Sequence, residues 1–176
     1  MSRPLLYDHL LGLEWVSGES DCYALLRRFY MDNWGIALRP YAYPEEWWNT
    51  APETDLIMKN FAAEGFNVVT DVAPLSLRVG DVLLIARGTR VASHIGVWIG
   101  GNRFLHHPRG ALSCPDRWAG RWANMTLAVV RHPDVPPEGP PERVDLMDLL
   151  PTHKREEYRN ALAARTASRF PGRPPS

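Results

Sequence analysis

The 176-residue chain is 45% apolar and 23% charged, which suits one domain of ordinary size with a short appendage and excludes a wholly disordered chain. Its formal net charge is zero, so no global field draws it to nucleic acid or to an anionic membrane surface. No apolar run approaches a membrane span and the start Met1-Ser-Arg-Pro carries no secretion signal, so the expectation is a protein made in the cytoplasm that leaves only inside a larger particle.

Residues 4 to 11 predict a short helix with Pro4 near its start. A loop from Gly12 leads to Asp21-Cys22, where Ser20 or Asp21 can cap a helix over about 21 to 33. Leu25, Leu26, Phe29 and Tyr30 recur at helical spacing along it, and Gly35 ends it. Residues 39 to 52, with Pro40, Tyr41, Tyr43, Pro44, Trp47 and Trp48, read as an ordered loop packed down by its rings. A second helix spans roughly Glu53 to Gly65, with Leu56, Ile57, Phe61 and Ala62 inward.

From residue 67 the pattern turns to strands: Asn67 to Thr70, Asp81 to Arg87 entered through Gly80, Ser93 to Ile99, Asn102 to His107, and Thr126 to Arg131. Gly100-Gly101 is a strong hairpin signal between two of them. Helices first and an antiparallel sheet after them make an α+β fold. The domain is expected over 1–132, followed by a stiff Pro-rich linker over 133–141 and a helical extension over 142–176. That extension reads as two helices, 142 to 149 and 153 to 168, whose thin apolar faces need the body or a partner to dock on. Nearly all the basic residues are arginine, the cation better suited to protein interfaces.

Two cysteines, Cys22 and Cys114, are present, and a disulfide between them is not favoured in a cytoplasmic product. Cys22 sits at a helix N-terminus, whose unpaired amides favour thiolate over thiol. The plain alternative is a small buried apolar residue. His94 shares a strand face with Gly96 and Trp98, while Ile95, Val97 and Ile99 take the other. A histidine there has either a buried partner or a task, and Gly96 lets something approach the backbone closely.

His106 and His107 must point to opposite faces of the next strand. A two-residue loop at Gly100-Gly101 places His107 with His94; a three-residue loop with a glycine bulge selects His106. The residues leave both open. The selected ring can hold the tautomer of His94, as the third group of a triad does; the other is expected at the surface or an interface. His9, His132 and His153 read as surface or linker residues. A zinc site of Cys22, His94 and His106 is the rival chemistry. No carboxylate sits near them in sequence to act as general base, so the thiol reading is preferred, with no metal and no cofactor.

These segments resemble the NlpC/P60 peptidases. Asp21-Cys22-Tyr23-Ala24-Leu25 resembles their Asp-Cys-Ser-Gly-Leu signature, and Gly80-Asp81-Val82 their Gly-Asp strand entry. His94-Ile-Gly-Val-Trp-Ile-Gly resembles the strand that bears their histidine, and Arg103-Phe-Leu-His106 the strand with the third polar residue. Tyr43-Pro44 to Trp48, Leu105-His106-His107-Pro108, Gly110-Ala-Leu-Ser113 and Val130-Arg131-His132 are similar to the branch found in phage tail tips. The likeness runs from about residue 5 to 132, leaving no room for the metal-dependent isopeptidase half of longer relatives.

The resemblance implies a papain-like fold, with N-terminal helices on an antiparallel sheet. It implies Cys22 as nucleophile, His94 as base and His106 as its orienting partner. It also implies Asp21 at the amine of the substrate, Trp15 where many relatives place a tyrosine near the oxyanion site, and Tyr23 in the subsite where relatives carry Ser-Gly. The implied substrate is a peptidoglycan stem peptide, cut beside γ-linked D-glutamate in the host periplasm or cell wall during DNA entry. The implied partners are other phage tail-tip proteins in the virion, with no nucleic-acid recognition. The alternative is a structural tail-tip protein whose peptidase site is vestigial or occluded.

Overall fold

Asp21 decides where the first long helix begins. Its Oδ1 accepts the amides of Tyr23 at 3.0 Å and Ala24 at 2.8 Å. Such a cap contributes about 1 kcal/mol by satisfying donors that have no partner within the helix. Its Oδ2 accepts the amide of Gly18 at 2.7 Å, so one side chain also closes the preceding loop. Helix α1 then runs Cys22–Trp34 and stops at Gly35, whose φ of 72° is the left-handed turn common at helix ends.

The computed structural model describes residues 4–44, 47–50, 55–139 and 160, and the chain separates into two compact units, Met1–Pro141 and Glu142–Ser176. The helices expected over 142–149 and 153–168 lie outside the described residues, apart from the single helical residue Asn160. The expected helix over 4–11 is only a 3₁₀ turn at Asp8–Leu10. The reason is tertiary: Asn33 of α1 accepts from the Leu6 amide at 2.9 Å and donates to its carbonyl at 3.0 Å, the acceptor a helix would offer to Leu10, and the Leu10 amide turns to the Tyr7 carbonyl instead.

The aromatic segment contains one helical turn, α2 at Trp47–Thr50, and α3 follows at Leu56–Ala63 behind an Asp55 cap. The strands are β1 (Asn67–Val68), β2 (Val82–Ile85), β3 (His94–Gly100), β4 (Arg103–His106), β5 (Cys114–Arg117) and β6 (Thr126–Arg131). They form one antiparallel sheet in the order β1-β6-β2-β3-β4-β5. Strand β5 and the short helix α4, Arg121–Met125, escape the sequence reading. Pro115 within β5 argues against a strand and is tolerated at the sheet edge; five residues are too few for α4 to show a period.

The sheet divides the core in two. Val82, Leu84, Ile95, Val97, Leu105 and Val130 pack with Leu25, Leu26, Phe29 and Tyr30 of α1 and with Ile57 and Phe61 of α3. Leu83, Ile85, Trp98, Phe104 and Val129 pack on the other face with Trp118 and Trp122. Each such side chain contributes roughly 1.5–3 kcal/mol on burial. Helix α1 lies against β3 and β4, which brings its N-terminus to the edge where β3 begins. Val135, within the segment read as a linker, is buried against the helix-side core, and His132, read as surface, is 7% exposed. Its ring packs edge-on against Phe66 at 4.9 Å between centroids.

The β3–β4 hairpin settles the register. Gly101 and Asn102, with φ of 59° and 57°, form the tip, and Gly100 pairs with Arg103. The register then shifts, so that Trp98 faces Phe104, Val97 faces Leu105 and Gly96 faces His106. The extra residue at Ile99 moves His106, rather than His107, onto the face of His94. The close approach that Gly96 permits is made by Phe104, whose ring occupies the space a β-carbon would need.

Asp81 closes the sheet from below. It is 1% exposed, takes Arg131 Nε and Nη2 at 2.7 Å each, and accepts the Arg78 amide at 2.8 Å. Removing one partner of a buried pair leaves the other charge uncompensated. Asp81→Ala should therefore lower unfolding stability by about 3 kcal/mol, the low end of the range because Arg131 keeps 24% exposure. Urea denaturation of the two proteins measures the difference.

Candidate active site

A cleft of about 340 Å³ opens at the N-terminus of α1. Cys22 and its cap Asp21 line it from α1, His94 and Ile95 from β3, Trp48 from α2, and Trp15 and Tyr43 from the loops. Cys22 and Cys114 are both free thiols. The backbone amides of Ile95, Tyr23 and Cys22 favour negative charge on the Cys22 sulfur, yet burial and the Asp21 carboxylate outweigh them and push the thiol up to about 12. The helix N-terminus alone predicts the opposite direction. In the empty cleft, desolvation exceeds the pull of the amides.

His94 is 4% exposed. Its Nε2 lies 2.9 Å from Nδ1 of His106, and Nε2 of His106 lies 3.2 Å from Oδ2 of Asp116 on β5. Trp122 of α4 donates its indole N–H to the same oxygen at 3.0 Å. A carboxylate only accepts, so the bonds run in one order. His106 Nε2–H donates to Asp116, His94 Nε2–H donates to His106 Nδ1, and Nδ1 of His94 keeps its lone pair. Burial, with His106, Arg87 and His107 nearby, holds His94 well below the usual histidine range. Burial also lowers His106, to about 4, against the pull of Asp116.

His107 turns to the other face and lines the cleft rather than the surface expected of it. It is fully buried, and desolvation depresses it while the backbone of Leu13 and Ala111 pulls the other way. Asp21 lines the cleft while its oxygens hold three backbone amides. Tyr23 is 6% exposed and donates its hydroxyl to the Arg39 carbonyl at 2.8 Å. Trp15 carries the guanidinium of Arg109 over its ring, 5.5 Å from the centroid. The donor set expected for a rival zinc site is not the one found. Among the described residues, the cluster with ligand spacing is His106, Cys114 and Asp116.

The family model for NlpC/P60 matches residues 12–131. The chain belongs to the NlpC/P60 family. Among curated proteins it is 33% identical over 125 residues to the tail tip assembly protein K of Escherichia phage lambda, covering 70% of this chain and 59% of that one. It is 29% identical over 126 residues to the tail tip assembly protein K of Escherichia phage N15, covering 72% of this chain and 50% of that one. The chain thus spans little more than half the length of these relatives. A solved structure from Staphylococcus aureus subsp. aureus Mu50, described as similar to a lipoprotein of the NLP/P60 family, superposes with a TM-score of 0.47 at 20% identity, over 70% of this chain and 37% of that one.

Within this NlpC/P60 fold the sequence reading missed Asp116 and Trp122. It sought a carboxylate beside the histidines in sequence, whereas the sheet supplies one from the edge strand. The alternation of Cys114 and Asp116, opposite His106 and Phe104, is the signal that could have found it.

Four buried imidazoles, His94, His106, His107 and His132, are all depressed by desolvation. Unfolded, each takes up a proton near its ordinary value of about 6.5; folded, each resists it. The unfolded state therefore binds more protons as pH falls below about 6.5, and stability drops with it. Each imidazole contributes a slope of up to about 1.4 kcal/mol per pH unit. The melting temperature should fall steadily from pH 6.5 toward 4; a flat profile over that window would refute the burial of these rings.

Proposed function

We propose that the chain is a thiol peptidase of a phage tail tip that opens peptidoglycan stem peptides, beside γ-linked D-glutamate, as the tail crosses the cell wall and DNA enters. The reading rests on one observation. Cys22 and His94 line a single cleft, and the imidazole is held by His106 through Nε2, so that its basic nitrogen is Nδ1. Family membership and the relatives' printed role in tail-tip assembly support the setting.

In this mechanism the Cys22 sulfur attacks the amide carbonyl carbon while its proton passes to Nδ1 of His94. The carbonyl electrons move to oxygen, where the backbone amide of Cys22 stabilises the oxyanion. His94 then returns the proton to the leaving amine, and water attacks the thioester by the same route in reverse. His106 and Asp116 keep His94 in the basic tautomer throughout. Asp21, Trp15 and Tyr23 are the proposed substrate contacts. Arg87 and Arg109, which also line the cleft, suit the carboxylates of a stem peptide.

Cys22→Ala should lower muropeptide cleavage by on the order of 10³-fold or more with folding unchanged. Equal product from both proteins sinks the thiol mechanism. Asp116→Ala should reduce kcat at least roughly tenfold with KM little changed, because it acts on the tautomer of His94 and not on substrate. Steady-state kinetics on one muropeptide separates the two parameters.

A purely structural role in the tail tip is the second reading, favoured by the names of the curated relatives. Virions decide between them. Normal tails with poor DNA delivery in Cys22→Ala particles support the enzyme. Normal delivery by those particles, with tails lost on deleting 142–176, supports the scaffold.

A further inference from the structure

The rear of the histidine relay carries a thiol, Cys114, that the peptidase chemistry leaves unused. His106 and Cys114 are direct cross-strand partners of β4 and β5, and Asp116 lies two residues along on the same face. The Cys114 sulfur is 3.8 Å from His106 Nε2, which is 3.2 Å from Asp116 Oδ2. One ligand atom from each of the three lies within 4.8 Å of the others. Zinc binds sulfur at about 2.3 Å and nitrogen or oxygen at about 2.0–2.2 Å, so donors sharing one tetrahedral ion stand roughly 3.2–3.8 Å apart, a spacing that the sulfur–nitrogen and nitrogen–oxygen pairs meet. Thiolate, imidazole and carboxylate are the donors this ion takes, with water in the fourth position. The three ligands project from paired strands, and Trp122 orients the carboxylate from behind. Asp116 keeps 45% of its side chain exposed, which leaves an entry path.

We propose that His106, Cys114 and Asp116 bind zinc behind the active-site imidazole, and that the ion switches the peptidase off by reversing the tautomers of both histidines. Zinc needs the lone pair of His106 Nε2, so the proton there is displaced. The proton shared between the rings shifts from His94 Nε2 to His106 Nδ1, which becomes the donor of that bond. His94 Nε2 then accepts, and Nδ1 of His94 takes up one proton. The two imidazoles keep their total, and the Cys114 thiol releases one proton to solvent on becoming a thiolate. With Nδ1 protonated, His94 has no lone pair for the proton of Cys22. Metal occupancy and basicity of His94 are therefore mutually exclusive.

The switch rests on the peptidase reading; the site does not. In full-length Cys22→Ala protein, Cys114 is the sole thiol. Titration of that protein with Co²⁺ should give a near-ultraviolet thiolate charge-transfer band that saturates at one equivalent. Zinc should abolish the band and block alkylation of Cys114, and a chelator should restore alkylation. Absence of the band, or alkylation indifferent to zinc, overturns the site. For the switch, zinc should inhibit muropeptide cleavage by the unmodified chain, and Cys114→Ser should need at least roughly tenfold more zinc, the scale on which loss of even an outer-shell partner weakens a metal site, while keeping its basal rate. Equal inhibition of the two proteins overturns the switch and points to direct capture of Cys22. Should Cys114→Ser misfold, Cys114→Ala serves in its place, and the spectroscopic arm needs neither. A chain without peptidase activity removes the peptidase reading and the switch, while the cobalt band still decides the site.

Discussion

The extra residue at Ile99 governs the arrangement of every polar group behind the cleft. Side chains alternate along a strand with a period of two, so a shift of one residue exchanges faces for the whole of β4. The tip pairs Gly100 with Arg103, and that register continued unbroken would turn His107 toward the ring of His94. The bulge instead sets Gly96 against His106. His106 then faces Cys114 across the next ladder, which brings Asp116 to its Nε2. Phe104 fits only because Gly96 has no side chain, and its ring backs His106 at 4.6 Å between centroids. The hydrogen-bonded line from His94 to Asp116 is thus a consequence of backbone pairing.

Electrostatics give that line its direction. Burial drives Cys22 and His94 in opposite directions on the pKa scale, and each move favours the neutral form. The Asp116 carboxylate stands at the far end of the line, partly in water, where it orders the protons of the two rings.

The aromatic loop has a place in the same picture. Tyr43 and Trp48 line the cleft, and Tyr43 meets Tyr23 edge-to-face at 5.8 Å. A segment that reads in the sequence as a loop packed down by its rings also walls the pocket. The body extends beyond the last strand too, since Val135 packs into the core. A Pro-rich composition marks stiffness and not detachment.

From the sequence alone came the helix that starts at Asp21-Cys22, the strand that carries His94, the hairpin after it and the α+β order, because caps, periodicity and glycine turns are local signals. The resemblance of short motifs added the family and the choice of His106. Tertiary structure decided the rest. Asn33 unwound the expected first helix, an extra residue chose the histidine face, and an edge strand containing a proline delivered Asp116. Desolvation reversed the expected effect of the helix end on Cys22. These outcomes depend on pairing between distant segments and on exclusion of water, and neither is written in the order of neighbouring residues.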